Sequence, residues 1–158
     1  MSTLVVFDST YGNTEIVARA IAEVLALRSP VRTLRPEQFQ PGHLEGMTLL
    51  VVGSPGRSPR PSPGILSWLA KLQLGSLQDV RVAAFDTRLD VSGGRRPVAA
   101  LLGRWFGYPA ARIERRLLLA GGDLAAPAQG FVLEGPLGPP REGETDRARA
   151  WARAFATG

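Results

Sequence analysis

The sequence predicts an α/β fold in which a parallel sheet carries helices on both faces. Three observations lead there. Leu4-Val5-Val6-Phe7 and Thr48-Leu49-Leu50-Val51-Val52-Gly53-Ser54 are continuous apolar runs, as expected for strands covered on both sides. Segments with apolar residues at helical spacing alternate with such runs, which implies parallel strands joined by crossover helices. The first run passes into the first helical pattern through Ser9-Thr10-Tyr11-Gly12-Asn13-Thr14, a short loop of hydroxyls, Gly and Asn.

Taken in order, Leu4 to Phe7 is the first strand. From Asn13 to about Leu27, Ile16, Val17, Ala20, Ile21, Val24 and Leu25 recur on one helical face, and Ser29-Pro30 stops that helix. Val31-Arg32-Thr33-Leu34 is short and alternating, so it reads as an edge strand. Pro36 to Gly46 reads as a loop or one irregular helical turn, which leaves the helix after the second strand reduced or missing. Thr48 to Ser54 is the third strand and ends in a proline-rich loop to Gly64. Prolines lower the entropy of that loop in the unfolded chain. Ser62 reads as an N-cap and Pro63 as a first helical residue. Ile65, Leu66, Leu69 and Leu72 form the apolar face of a helix ending near Gly75, with Trp68 beside them as packing.

Val80 to Phe85 is the next strand, followed by a loop over residues 86–93. Two short helices, Pro97 to Phe106 and Ala110 to Ala120, are expected on either side of Gly107-Tyr108-Pro109, and Gly121-Gly122 suits a helix C-cap. Phe131 to Glu134 is the last strand, with Leu124 in an early part of it. Gly143-Glu144-Thr145 opens the final helix, whose Ala148, Trp151, Ala152 and Phe155 share one face.

At 158 residues the chain is read as one domain, 1–158. No basic leader and no long apolar run occurs, so neither a signal peptide nor a membrane span is expected and a cytoplasmic location is the default. There is no cysteine, which excludes disulfides, thiol catalysis and cysteine-ligated clusters. The one histidine, His43, stands in a Pro-Gly-flanked loop and reads as solvated. Redox chemistry would therefore have to come from a bound organic cofactor. The net charge is +5, and 18 of the 19 basic residues are Arg. The arginines are scattered and not interleaved with aromatics, so no nucleic-acid partner is expected.

The loop from Ser9 to Thr14 has the chemistry of an anion site. The N–H groups at a helix N-terminus lack internal partners and carry partial positive charge. Ser9, Thr10 and Thr14 can donate hydroxyl protons to a phosphate, and Gly12 lets the backbone wrap closely. No Lys or Arg lies in the loop, so neutral donors would hold the anion. The chain contains neither a G-x-G-x-x-G fingerprint nor a Gly-Lys-Ser/Thr phosphate loop.

Val6-Phe7-Asp8-Ser9-Thr10-Tyr11-Gly12-Asn13-Thr14-Glu15-Ile16-Val17-Ala18 resembles the FMN-phosphate signature of flavodoxins. Later features extend the resemblance over nearly the whole chain. They are Gly53-Ser54-Pro55, Phe85-Asp86-Thr87-Arg88, Gly130-Phe131-Val132 and Gly135-Pro136-Leu137, then Gly143-Glu144, Arg147-Ala148 and Trp151. The resemblance implies a flavodoxin-like three-layer sandwich with a five-stranded parallel sheet of order 2-1-3-4-5. It also implies a noncovalent FMN site and a role in electron transfer or as a small flavin-dependent oxidoreductase. Its partner would be a redox protein or a small-molecule electron donor or acceptor, with oligomeric state left open. In such a sheet, ligands bind beyond the carboxyl ends of the strands at the switch point between the first and third strands. Ser9, Thr10, Tyr11, Gly12, Asn13 and Thr14 would face the phosphate. Ser54, Pro55, Gly56 and Arg57 on one side, and Asp86, Thr87, Arg88 and Leu89 on the other, would flank the flavin ring.

Two departures from well-studied flavodoxins stand out. Residues 54–61 and 86–93 contain no aromatic side chain to stack on the flavin. Flavodoxins are typically acidic, whereas here Arg57 and Arg88 lie on those two loops. An arginine facing the flavin would favour its anionic reduced form and make it less reducing. An alternative stays open: a flavodoxin fold that has lost FMN and serves as an interaction or structural domain. A phosphoacceptor receiver domain is excluded by residues, since the third strand ends in Gly53-Ser54 and the sole lysine, Lys71, is elsewhere.

Overall fold

The computed structural model describes residues 1–90 and 107–156. The elements, in chain order, are β1 (Ser2–Phe7), α1 (Asn13–Leu25), β2 (Val31–Leu34), β3 (Met47–Pro55), α2 (Pro63–Ala70), β4 (Arg81–Leu89), α3 (Pro109–Leu119), β5 (Asp123–Leu124), β6 (Gln129–Leu133) and α4 (Glu144–Ala156). The helix expected over Pro97 to Phe106 lies outside the described residues.

All strand pairs are parallel. The order is β2-β1-β3-β4-β5, with β6 also on β4. β5 and β6 share the fifth position. β5 pairs Asp123 and Leu124 with Arg81 and Val82, and β6 pairs Gln129–Leu133 with Phe85–Leu89. Pro127 sits in the gap between them and has no N–H for a ladder, so one continuous strand cannot form across it.

Because strand side chains alternate, each central strand feeds two cores. Leu4, Val6, Leu50, Val52, Val82 and Ala84 point to one face and meet Ile65, Trp68 and Leu69 of α2 and Ile113 and Leu117 of α3. Val5, Phe7, Leu49, Val51, Ala83 and Phe85 point to the other and meet α1 and α4. On that second face Phe85, Phe131, Trp151 and Phe155 form a run of edge-to-face contacts, with centroids 4.9–6.3 Å apart.

Ser62 caps α2 through a hydrogen bond from the Ile65 amide, and Pro63 follows it as the first helical residue. Leu66 is on the exposed side of α2 rather than in its buried face, where Trp68 stands instead, and the helix stops at Ala70, before Gly75. The strand expected to end at Phe85 continues to Leu89, because β6 supplies a partner for residues 85–89 that local sequence does not reveal.

Between β2 and β3 the crossover helix is replaced by two single 3₁₀ turns, Pro36–Gln38 and Pro41–Leu44. Phe39 between them packs edge-on against Trp68 at 5.4 Å. Their shortness leaves a cavity of about 280 Å³ at the amino ends of β1 and β2, walled by Ser2, Leu4, Arg32, His43 and Glu45 among others. That is the end of the sheet opposite to where open α/β sheets bind ligands.

Candidate functional site

β1 and β3 end side by side, with Phe7 opposite Gly53, and their following loops diverge to either side of a cleft. Ser9, Thr10, Tyr11, Asn13 and Thr14 line it from one loop, and Pro55, Gly56 and Arg57 from the other. Thr87 of β4, Leu133 of β6 and Pro136 complete the walls. The enclosed part is narrow, about 20 Å³, space for a water-sized group and little more.

The start of α1 is built to leave its amides open. Gly12, the N-cap, adopts a left-handed conformation, φ 87°, and has no side chain of its own to cap the helix. The Ser9 amide is taken by Asp8 Oδ1, and the Glu15 amide by Ser9 Oγ at 3.4 Å. The five amides between them, Thr10 to Thr14, have no acceptor among the described residues. An added Cβ on Gly12 would meet nothing within 4 Å, so glycine is needed there for its φ alone.

Two of the loop side chains are fixed by protein neighbours. Asn13 is 7% exposed and lies against Gly138, where a Cβ would come within 2.0 Å of Asn13 Oδ1. The Thr14 hydroxyl is buried and shares a 2.9 Å hydrogen bond with the Thr87 hydroxyl. Thr14 can still donate elsewhere if Thr87 is the donor in that pair. Thr10 and Tyr11 are exposed.

Two arginines reach the loop from other elements. Arg35, just after β2, donates to the Ser9 carbonyl at 3.0 Å, lies 3.6 Å from Asp8 and covers the Phe7 ring. Arg57 places its guanidinium 4.3 Å from the centre of the Tyr11 ring, so the two cleft-lining loops touch.

On the β4 side the geometry is tighter. Asp86 has no solvent exposure. Arg88 Nε and Nη2 donate to its two oxygens at 2.7 Å each, and the Ala110 amide in the first turn of α3 donates to Oδ2 at 3.1 Å. Burial raises the Asp86 carboxyl above the ordinary aspartate range, against the lowering influence of Arg88 and of the Ala110 amide. The Arg88 guanidinium also lies 3.6 Å from the centre of the Tyr108 ring, and over Gly130, where a Cβ would fall 2.0 Å from Nε.

No family profile and no curated protein matches the chain. Solved structures do. The oxidised flavodoxin 1 of Bacillus cereus is similar over 98% of this chain and 97% of its own, with a TM-score of 0.76 and 14% identity. A Streptococcus pneumoniae TIGR4 flavodoxin is similar over 99% and 98%, with a TM-score of 0.74 and 14% identity. The rubredoxin oxygen:oxidoreductase of Desulfovibrio gigas matches 98% of this chain with 35% of its own, at a TM-score of 0.72 and 18% identity.

The fold is that of the short-chain flavodoxins.

Within this flavodoxin-like fold, the structure brings nine of the sequence-predicted residues to one cleft: Ser9, Thr10, Tyr11, Asn13, Thr14, Pro55, Gly56, Arg57 and Thr87. Gly12 shapes the loop without lining the cleft. Ser54 is fully buried and bonded within the protein: its hydroxyl accepts from the Ser62 amide at 2.9 Å and donates to the Pro55 carbonyl at 3.1 Å. Asp86 and Arg88 are joined to each other, so the charge of Arg88 is compensated before it can act on a ligand. Leu89 is paired in the sheet opposite Leu133. Leu133 and Pro136 were not anticipated as cleft residues. Their signal was the Gly135-Pro136 turn directly after the last strand, which must lie at the carboxyl end of the sheet once the strands are parallel.

Proposed function

We propose that the cleft holds FMN noncovalently and that the protein is a flavodoxin-like electron carrier or small flavin-dependent oxidoreductase. The observation carrying this reading is the run of five main-chain amides, Thr10 to Thr14, without acceptors at the start of α1. Such amides, with the partial positive charge of the helix end, suit a phosphate dianion. The Thr10 hydroxyl, exposed beside them, adds a donor. Pro55, Gly56, Thr87, Leu133 and Pro136 would offer the flanking surfaces for the ring system. Bound FMN would supply the one- and two-electron chemistry, and the protein's part is to bind it, orient it and set the charge around it. The electrons would pass to or from a redox protein or a small-molecule donor or acceptor.

A second reading, a fold of this type without FMN, is favoured by the narrowness of the cleft and by the absence of an aromatic side chain from residues 54–61. One experiment separates the two. Protein stripped of ligand is titrated with FMN and followed by quenching of flavin fluorescence, then compared with Thr10→Ala and Thr14→Ala. Saturable binding that weakens in Thr10→Ala supports the FMN site. Wild type that stays colourless and takes up no FMN supports the second reading, and two variants that bind like wild type overturn the assignment of the phosphate loop.

A further inference from the structure

Charge around the cleft is almost entirely compensated. Asp8 lies 3.6 Å from Arg35, Glu15 is 3.2 Å from Arg19, and Asp86 is 2.7 Å from Arg88. Arg57 is different. It lines the cleft and is exposed, yet among the described residues no carboxylate lies within ion-pair distance of it. Its guanidinium is held instead by the Tyr11 ring at 4.3 Å. Tyr11 belongs to the very loop whose amides are open, so an uncompensated cation from the second loop is parked against the first.

We propose that Arg57 is a phosphate-binding cation supplied in reserve, positioned by Tyr11 and recruited when a phosphorylated ligand enters the cleft. This inference rests on the FMN reading for its ligand, and it replaces the expectation that only neutral donors would hold the anion. An aromatic platform suits the task. Cation–π attraction is worth little at an exposed site, so it orients the guanidinium without holding it against a stronger partner. A phosphate offers that partner, through charge-assisted and bidentate hydrogen bonds. Riboflavin carries the same ring system without the phosphate and should gain nothing from Arg57.

The test uses FMN and riboflavin side by side, at low and high salt, with wild type, Arg57→Gln, Arg57→Lys and Tyr11→Leu. Circular dichroism confirms that each variant is folded. Wild type should bind FMN more tightly than riboflavin, with an advantage that shrinks as salt rises. Arg57→Gln should lose roughly tenfold or more in FMN affinity and most of the salt dependence, with riboflavin unchanged. Arg57→Lys should recover most of the loss, and Tyr11→Leu should fall between. FMN affinity unaffected by Arg57→Gln, or FMN and riboflavin weakened alike, overturns the proposal. If wild type takes up neither flavin, the FMN reading has failed, and a titration with inorganic phosphate followed on the Gly12 and Asn13 amide resonances decides for Arg57 alone. Weaker phosphate binding in Arg57→Gln than in wild type then supports the anion role, and equal binding removes it.

Discussion

Asp86 shows how one buried charge orders several neighbours. Its carboxylate is closed off from water and satisfied by two arginine bonds and one helix amide. Removing one partner from a buried pair is costly because the other charge stays behind. Gly130→Ala should therefore be severe, since its Cβ would occupy the place of the Arg88 guanidinium. A loss of about 3 kcal/mol is expected from urea unfolding. Arg88→Ala should behave similarly, with a pH signature. Burial holds the Asp86 carboxyl above its ordinary aspartate value in the folded state, against the lowering pull of Arg88 and the Ala110 amide. A raised carboxyl supports stability below its ordinary pKa and loses that support as pH rises through the folded value. The defect of Arg88→Ala should grow as pH rises, and Asp86→Asn in the same chain should remove the trend. Glu144 has the opposite sign. The hydrogen bonds from Arg147, aided by the Val132 amide, hold its carboxyl below the usual range in spite of partial burial. Its contribution is present above the ordinary glutamate pKa and is lost as pH falls through the folded value. Glu144→Gln should flatten that acid limb in a stability–pH series.

At the scale of elements, α1 and α4 share one face of the sheet but serve different ends. α1 offers its open N-terminus to the cleft. α4 clamps β6, through Glu144 on the Val132 amide and Arg147 on the Gly130 carbonyl and over the Phe131 ring. This gives the Gly143-Glu144 and Arg147 features of the sequence a physical role at the strand beside the cleft. Gly12→Ala should cost about 1–2 kcal/mol from backbone strain, because no side chain obstructs the new methyl group. It should also weaken FMN binding if the amides must keep their present directions. Elements with a strong period or a local stop signal were legible in the sequence: β1, α1, β3, the Ser62 cap and α4. The length of β4 was not, since residues 86–89 become a strand only through β6, far along the chain. The site was legible in the same uneven way. The Ser9–Thr14 loop announced itself by residue type and spacing. The Arg57–Tyr11 contact depends on which loops meet in space, and composition carries no trace of that; the Asp86–Arg88 pair depends on residues 86–89 becoming a strand, which turns both side chains to one face.

For the whole molecule, a sheet between two cores means that stability and site geometry are coupled across the layers. Phe155 is 1% exposed and packs on Trp151 at 4.9 Å, at the far end of the aromatic run that includes Phe85 and Phe131. Phe155→Ala should cost about 3–5 kcal/mol. Calorimetry should show the loss as a lower Tm for the whole transition rather than for α4 alone.

The gap at Pro127 has a bearing on how such a protein survives at high concentration. A long straight outer strand presents unsatisfied main-chain groups on which another chain can add itself and start a fibril. Here one margin of the sheet is cut into pieces of two and five residues, and the opposite margin, β2, is only four residues long and presents exposed Arg32 and Thr33. Neither border makes a good template for edge-to-edge growth. Replacing Pro127 with a residue that can join the ladder would lengthen the first border and, with it, the hazard of aggregation.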